Sequence, residues 1–193
     1  MNDQINLSTL LFSKPGPANT EACLKAAAAR ARELGITDVV IASWSGGSVT
    51  KALEVLDPKG VNLVVVTHVT GFRKPDQQQM EDSVRRDLEQ KGCRVLTCAH
   101  AFGGVGRGVR NKLNTYQVDE VMAFTLRMFG QGVKVGVEIS LMAADAGVVR
   151  TDREIVAVGG TGSGADTAIV TTPANSHACL DLKVHEIICK PRL

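Results

Sequence analysis

Residues 39–56 read VVIASWSGGSVTKALEVL: a β-branched apolar run stops at a knot of serines and glycines and then takes up a helical rhythm. A polar turn between a strand and a helix serves two chemistries, since it can perch a nucleophile or cradle an anion. Ser45 stands at the centre of either arrangement.

Outward from this stretch the same alternation continues. EACLKAAAARARELG (21–35) is dense in strong helix formers, with Asn19 or Thr20 as its N-cap and Gly35 as its stop. TDVVIAS reads as a buried strand, SVTKALEVLD as a helix and VNLVVVTH as a second strand. After the loop VTGFRKP, DQQQMEDSVRRDLEQKG predicts a helix capped by Asp76 and ended by Gly92, followed by a strand, CRVLTCA. The loop HAFGGVGRG leads to YQVDEVMAFTLRMFGQG and VKVGVEISLMAADAG, which are two helices or one broken near Gly130 and Gly132. EIVAVGG and GADTAIVTTP are further strands, and VHEIIC is an edge strand or a closing helix. Strands alternating with helices on short loops require crossovers, and a bare sheet face must be covered. The fold class is therefore α/β, with a mostly parallel sheet, and the 193 residues form one domain.

Composition narrows the function classes. A net charge of +2 does not make the broad positive field of a non-specific nucleic-acid binder, and 4% aromatic residues supply no base-stacking platform. The basic trio Arg107, Arg110 and Lys112 reads as a solvated face, so no nucleic-acid partner is expected. Five cysteines, with no C-x-x-C among them, read as reduced and mostly buried thiols rather than disulfides or a metal set. The start MNDQINLSTLLF carries an acid where a signal peptide needs basic residues, and no apolar run approaches the ~20 residues that span a bilayer. A cytoplasmic protein without a membrane partner is expected.

In an open parallel sheet the ligand crevice lies beyond the carboxyl ends of the strands. Four loops share that address here: SWSGGS, THVTGF, CAHAFGGVG and VGGTGSGAD. Glycine permits close backbone approach to a ligand, and hydroxyls donate to anionic oxygens. Together the loops predict a polar, anion-binding rim.

That rim bears on Ser45. A nucleophile elbow needs G-x-S-x-G, but residues 43–47 read S-W-S-G-G, so the first glycine is missing. The anion reading uses the hydroxyls of Ser43, Ser45 and Ser48, Trp44 beside them, and Gly46 and Gly47 to turn amides inward. No G-x-x-x-x-G-K-[ST] occurs, which argues against a nucleotide triphosphatase. In VGGTGSGAD, Gly160, Gly162 and Ala165 satisfy a relaxed dinucleotide fingerprint, yet the β-branched DTAIVTTP that follows is no crossover helix. The loop is then a sharp hairpin or an anion nest of Gly160, Thr161, Gly162, Ser163 and Gly164, with Asp166 placed to meet a ligand hydroxyl. His68 and His100 sit just past adjacent strands in the matching phrases THVTGF and CAHAFGG, so they are expected to be neighbours and are the acid–base candidates. Thr67, Thr70, Gly71 and Phe72 complete the second loop's contribution. No third ligand of suitable spacing supports a metal, because HEIIC misses H-E-x-x-H at Cys189.

With SWSGGSV set between a strand and a helix in this order, the chain resembles the C-terminal domain of pyruvate kinase, whose serine- and threonine-rich loop grips a phosphate of a sugar-phosphate effector. Val49 stands where alanine is usual in that loop. IASWSGGS, VVVTHVTGF, VLTCAHAFGGV, TLRMFGQGVKVGVEISLMAADAG and VAVGGTGSGADTAIV make it similar, over nearly its whole length, to stand-alone pyruvate kinase alpha/beta domain-like proteins. The resemblance implies a three-layer α/β/α domain with a mixed sheet whose last strand is antiparallel to the rest. It also implies a phosphate-bearing ligand, flavin mononucleotide (FMN) having been associated with the group. Pyruvate kinase activity is not implied, because the catalytic barrel of that enzyme is not in these residues.

Two functions are therefore expected to compete. One is a binding or regulatory domain for a phosphorylated small molecule, FMN first among them. The other is an enzyme, a flavin-dependent oxidoreductase or a phosphate-ester hydrolase, using His68 and His100 with Glu138 as helper. A homo-oligomer is expected from the long apolar helical segment 118–146.

Overall fold

A computed structural model describes residues 4–192; the acidic start of the chain at Asp3 lies outside the described residues. In chain order the elements are β1 (Leu10–Phe12), α1 (Thr20–Leu34), β2 (Asp38–Ala42), α2 (Gly47–Ala52), β3 (Asn62–Val66), α3 (Asp82–Gln90), β4 (Arg94–Leu96), α4 (Val105–Leu113), α5 (Val118–Arg127), α6 (Gln131–Asp145), β5 (Ile155–Gly159), β6 (Thr167–Thr172) and β7 (Lys183–Pro191). The seven strands form one sheet in the order β1-β7-β6-β5-β2-β3-β4.

Alternation along the central strands sends successive side chains to opposite faces, and both faces are dry. Val39, Ile41, Leu63, Val65, Val156 and Val158 pack with Leu24, Ala28 and Ala31 of α1, Val49 of α2 and Leu88 of α3. On the other face Val40, Val64, Val66, Ile155 and Ala157 pack with Val133, Val137, Leu141 and Ala144 of α6 and Ala123 of α5. The chain is thus the expected three-layer α/β/α sandwich. Among the described residues no helix is long and apolar enough to cross a membrane.

β2, β3, β4 and β5 run parallel, so their carboxyl ends share one edge. The antiparallel strand is β6, which pairs antiparallel with both β5 and β7. The expectation that the last strand opposes the rest is therefore corrected: the chain reverses at β6, through the 160–166 hairpin, and β7 returns to the common direction. VHEIIC is neither an edge strand nor a helix. It lies within β7, and β1, which pairs parallel with β7 from Leu10↔Cys189 to Phe12↔Pro191, forms the edge.

Other boundaries also differ from expectation. The third helix starts at Asp82 rather than near Asp76, because Gln78 Oε1 accepts the amides of Gln79 and Met80 at 2.7 and 3.1 Å and holds residues 76–81 in turns. α4 occupies part of the predicted glycine loop. Its Gly106 is needed for packing, since a Cβ there would lie 2.2 Å from Asp119 Oδ1 on α5. The break between α5 and α6 is at Gly130, whose φ of 130° no side chain tolerates well.

Candidate functional site

The four rim loops do meet. A cleft of about 560 Å³ opens at the carboxyl edge of β2, β3 and β5, and is lined by residues of all four loops together with α6 and the start of α1. Of the residues singled out by sequence, Ser43, Trp44, Ser45, Gly47, Ser48, Thr67, His68, Phe72, His100, Gly160, Gly162, Ser163 and Gly164 are on its walls. Gly46, Thr70, Gly71, Thr161 and Asp166 are not.

The serine loop is held from within. Ser43 extends the ladder by donating its N–H to Val66 O at 2.9 Å, and its Oγ accepts the amide of Gly46 at 3.1 Å. Gly46 adopts φ 88°, and a Cβ there would fall 2.5 Å from Val84 Cγ1, so its role is to let the turn sit on α3. Neither rim histidine is hydrogen-bonded to Ser45: His68 Nδ1 is bonded to Gln79 Oε1, and His100 Nε2 accepts the Val69 amide. The nucleophile arrangement is not assembled.

Asp166 is a fastening of the hairpin rather than a face of the cleft. Fully buried, its carboxylate accepts the Gly16 amide and the Thr167 hydroxyl, each at 2.9 Å. Thr20 Oγ1 accepts the Ala165 amide at 3.0 Å, tying the same hairpin to the first turn of α1. Asp166 N also donates to Gly159 O at 3.1 Å, so the loop closes on itself as a hairpin and no crossover helix follows.

His68 and His100 are the neighbours their phrases predicted, with ring centroids 5.6 Å apart and Phe72 within 4.1 Å of one and 5.2 Å of the other. They differ in what they have left to offer. His100 Nε2 accepts the backbone N–H of Val69 at 3.2 Å, which makes the ring neutral with its proton on Nδ1. Burial pushes the His100 imidazole below its ordinary value; Glu138 opposes this, while His68, Lys134 and Arg107 add to it. His68 Nδ1 is bonded to Gln79 Oε1 at 2.7 Å, the ring N–H donating to that amide oxygen.

Sequence reasoning missed the cations. Lys51, Arg73, Arg107, Arg127 and Lys134 line the cleft, against one carboxylate, Glu138. Arg107 came from the basic trio, which the fold divides: Arg107 faces the cleft and Arg110 pairs with Glu120 at 2.8 Å. Gly103 makes room for the Arg107 guanidinium, since a Cβ there would lie 2.7 Å from Nη2. Arg107 sits over the Phe72 ring at 5.7 Å and Arg73 over Trp44 at 5.5 Å. Lys134 and Glu138, both buried, form an ion pair on α6, and Glu138 Oε1 also accepts the Phe102 amide at 3.0 Å. A usable signal existed: these are the only charged residues of VKVGVEISLMAA, spaced i, i+4 on one helix face.

The family model described as the pyruvate kinase alpha/beta domain matches residues 21–171, from the first turn of α1 to β6. Among solved structures, a pyruvate kinase from Cryptosporidium parvum is 12% identical with a TM-score of 0.38, the match covering 76% of this chain and 21% of that one. A second structure, Cryptosporidium parvum pyruvate kinase in complex with ADP, is 12% identical with a TM-score of 0.40, covering 81% and 24% of the two chains. The chain thus spans less than a quarter of the length of these solved enzymes. The matched span holds α1–α6 and the five strands β2–β6, with β1 and β7 outside it. On that match, which takes in most of the sheet and all four of the rim loops that build the cleft, the chain belongs to the pyruvate kinase alpha/beta domain family.

Proposed function

We propose that the cleft binds a phosphorylated small molecule, with FMN as the first candidate, and that the chain acts as a binding or regulatory domain for it. The observation that carries this reading is the charge of the walls. Lys51, Arg73, Arg107 and Arg127 face the cleft without an ion-pair partner among the described residues, while Glu138 is committed to Lys134. The Arg107 Nε is buried without a hydrogen-bond acceptor. Such donors favour an anion supplied from outside, and each hydrogen bond to a charged group contributes roughly 1.5–3 kcal/mol.

FMN suits both halves of the cleft. The volume of about 560 Å³ lies within the usual range of small-molecule pockets. Val66, Val135, Ile139 and Met142 offer an apolar wall and Trp44 and Phe72 flat faces for a ring, while Ser45, Ser48 and Ser163 and the arginines serve the phosphate. When bound, a flavin supplies hydride and one-electron chemistry.

The test is titration of the purified protein with FMN, sugar phosphates and inorganic phosphate, read by thermal unfolding, with an absorption spectrum of the protein as isolated. FMN is expected to raise Tm, and Arg107→Ala to weaken that binding roughly tenfold or more. A protein without flavin absorbance and unmoved by every phosphate compound would overturn the proposal.

A second reading, an enzyme with acid–base histidines, is favoured by one detail: His68 lines the cleft, and its Nε2 has no hydrogen-bond partner among the described residues. It narrows the acid–base role to His68. Once a turnover is found, an undiminished rate in His68→Ala removes it.

Self-association belongs to the same proposal. α6 is buried, but α5 leaves Val118, Val121 and Phe124 more than half exposed, as are Met128 and Phe129 just past its end. That stripe, rather than the whole 118–146 segment, is the surface offered to a second copy. Light scattering of the wild type is expected to report a dimer and of Val121→Asp a monomer; a monomeric wild type ends the idea.

A further inference from the structure

We propose that Lys134 is an imine-forming lysine, and that the cleft takes phosphorylated aldehydes, whose carbonyl carbon it places at Lys134 Nζ. This rests on the reading of the cleft as a phosphate site. Three features on different elements converge on it.

The first is position. Lys134 is 5% exposed, yet it lines the cleft, so the little surface it has is turned toward a bound molecule. The second is a proton acceptor in contact: Glu138 Oε2 receives a hydrogen bond from Lys134 Nζ, and Glu138 Oε1 is held by the Phe102 amide at 3.0 Å, so the carboxylate is fixed against the amine. The third is surroundings that disfavour the ammonium. Lys134 is buried, and Arg107 and Arg127 line the same cleft, while the Phe102 ring 5.8 Å from Nζ is a cation–π contact that works the other way. Burial pushes the amine below the ordinary lysine range, and the two arginines add to this against the pull of Glu138. Desolvation beside other cations is how amine nucleophiles are activated.

The step balances without an oxidant or metal. Glu138 takes one proton from the ammonium, and the neutral amine adds to the aldehyde carbon, forming a C–N bond. A proton moves from nitrogen to oxygen to give the carbinolamine. Glu138 then returns its proton to the hydroxyl, the C–O bond breaks, and one water leaves with a protonated imine remaining. The arginines and serine loop hold the phosphate throughout.

The test uses pyridoxal 5′-phosphate as probe, borohydride to reduce any imine, and peptide mass spectrometry to locate the adduct. The wild type is expected to carry the reduced adduct on Lys134 in preference to the exposed Lys25, Lys59 and Lys112. Pyridoxal, lacking the phosphate, should label Lys134 roughly tenfold less or weaker still, and inorganic phosphate should compete. Lys134→Arg keeps the ion pair with Glu138 and should lose the adduct. Adducts on exposed lysines only, or an unchanged pattern in Lys134→Arg, overturn the proposal. If pyridoxal phosphate or inorganic phosphate still raises Tm while Lys134 stays unmodified, the imine is wrong and the phosphate cleft stands. If neither raises it, the phosphate reading fails as well. Labelling of Lys134 by both aldehydes alike keeps the amine but overturns the phosphate-directed part.

Discussion

His100 Nε2 accepts the backbone N–H of Val69 at 3.2 Å, so the loop after β4 holds the loop after β3 by a side-chain bond that neither strand ladder supplies. His100→Ala leaves that amide without its acceptor, which should cost about 1–3 kcal/mol in urea denaturation. His100→Gln, whose amide oxygen can accept the same hydrogen, should recover part of the loss.

The same residue carries a pH dependence of defined sign. Burial holds the folded imidazole below its ordinary value of about 6.5, so between that value and its own lower one the unfolded chain binds a proton the folded chain does not. Stability should fall as pH drops through this window and stop falling, for this group, below the folded value. Glu138, His68, Lys134 and Arg107 are the charged or titratable groups acting on it. His100→Gln should flatten the slope between neutral and mildly acidic pH, measured as Tm against pH.

Lys134 and Glu138 are both less than a tenth exposed, and either one alone is a buried, uncompensated charge. Glu138→Ala should destabilise by roughly 3–5 kcal/mol, and the double change Lys134→Met with Glu138→Leu by much less, because both charges leave together. A double-mutant cycle by urea denaturation reads the difference. Equal losses in the single and double variants would refute this account of the pair.

Two glycines of the hairpin separate steric from conformational effects. Gly164 has φ 70°, and a Cβ there would lie 2.5 Å from Thr20 Oγ1 and 2.6 Å from Pro17 Cα, whereas Gly162 has φ 79° with nothing near. Gly162→Ala should cost about 1–2 kcal/mol for its left-handed backbone alone. Gly164→Ala should cost more, by roughly 1–3 kcal/mol, because backbone must move. Calorimetric Tm values compare the two.

Much of the cleft was legible because its parts are local. Serine, glycine and histidine cluster wherever a strand must end and turn, and parallel strands bring those ends together without further instruction. What escaped was contributed from far along the chain. Arg107, Arg127 and Lys134 sit on helices whose facing depends on packing, and α4 was hidden because Gly106 and Gly108 are poor helix formers, Gly106 being present for its close approach to Asp119 of α5. Asp166 looked like a ligand contact because a carboxylate after a glycine loop suits a hydroxyl; the amide of Gly16, 150 residues earlier, claims it instead.

By itself the sequence determined the α/β class, the buried strands β2, β3 and β5, the stops at Gly35 and Gly92, and the polar character of the rim. Each of these follows from propensity and pattern within a few residues. Only the tertiary structure decided that β6 reverses, that β1 rather than β7 is the edge, which rim residues face the cleft, and that cations outnumber carboxylates inside it. Strand order and helix facing are settled by pairings between residues distant in sequence, where loop-closure entropy and the burial of both sheet faces compete, and no short window of residues contains that balance.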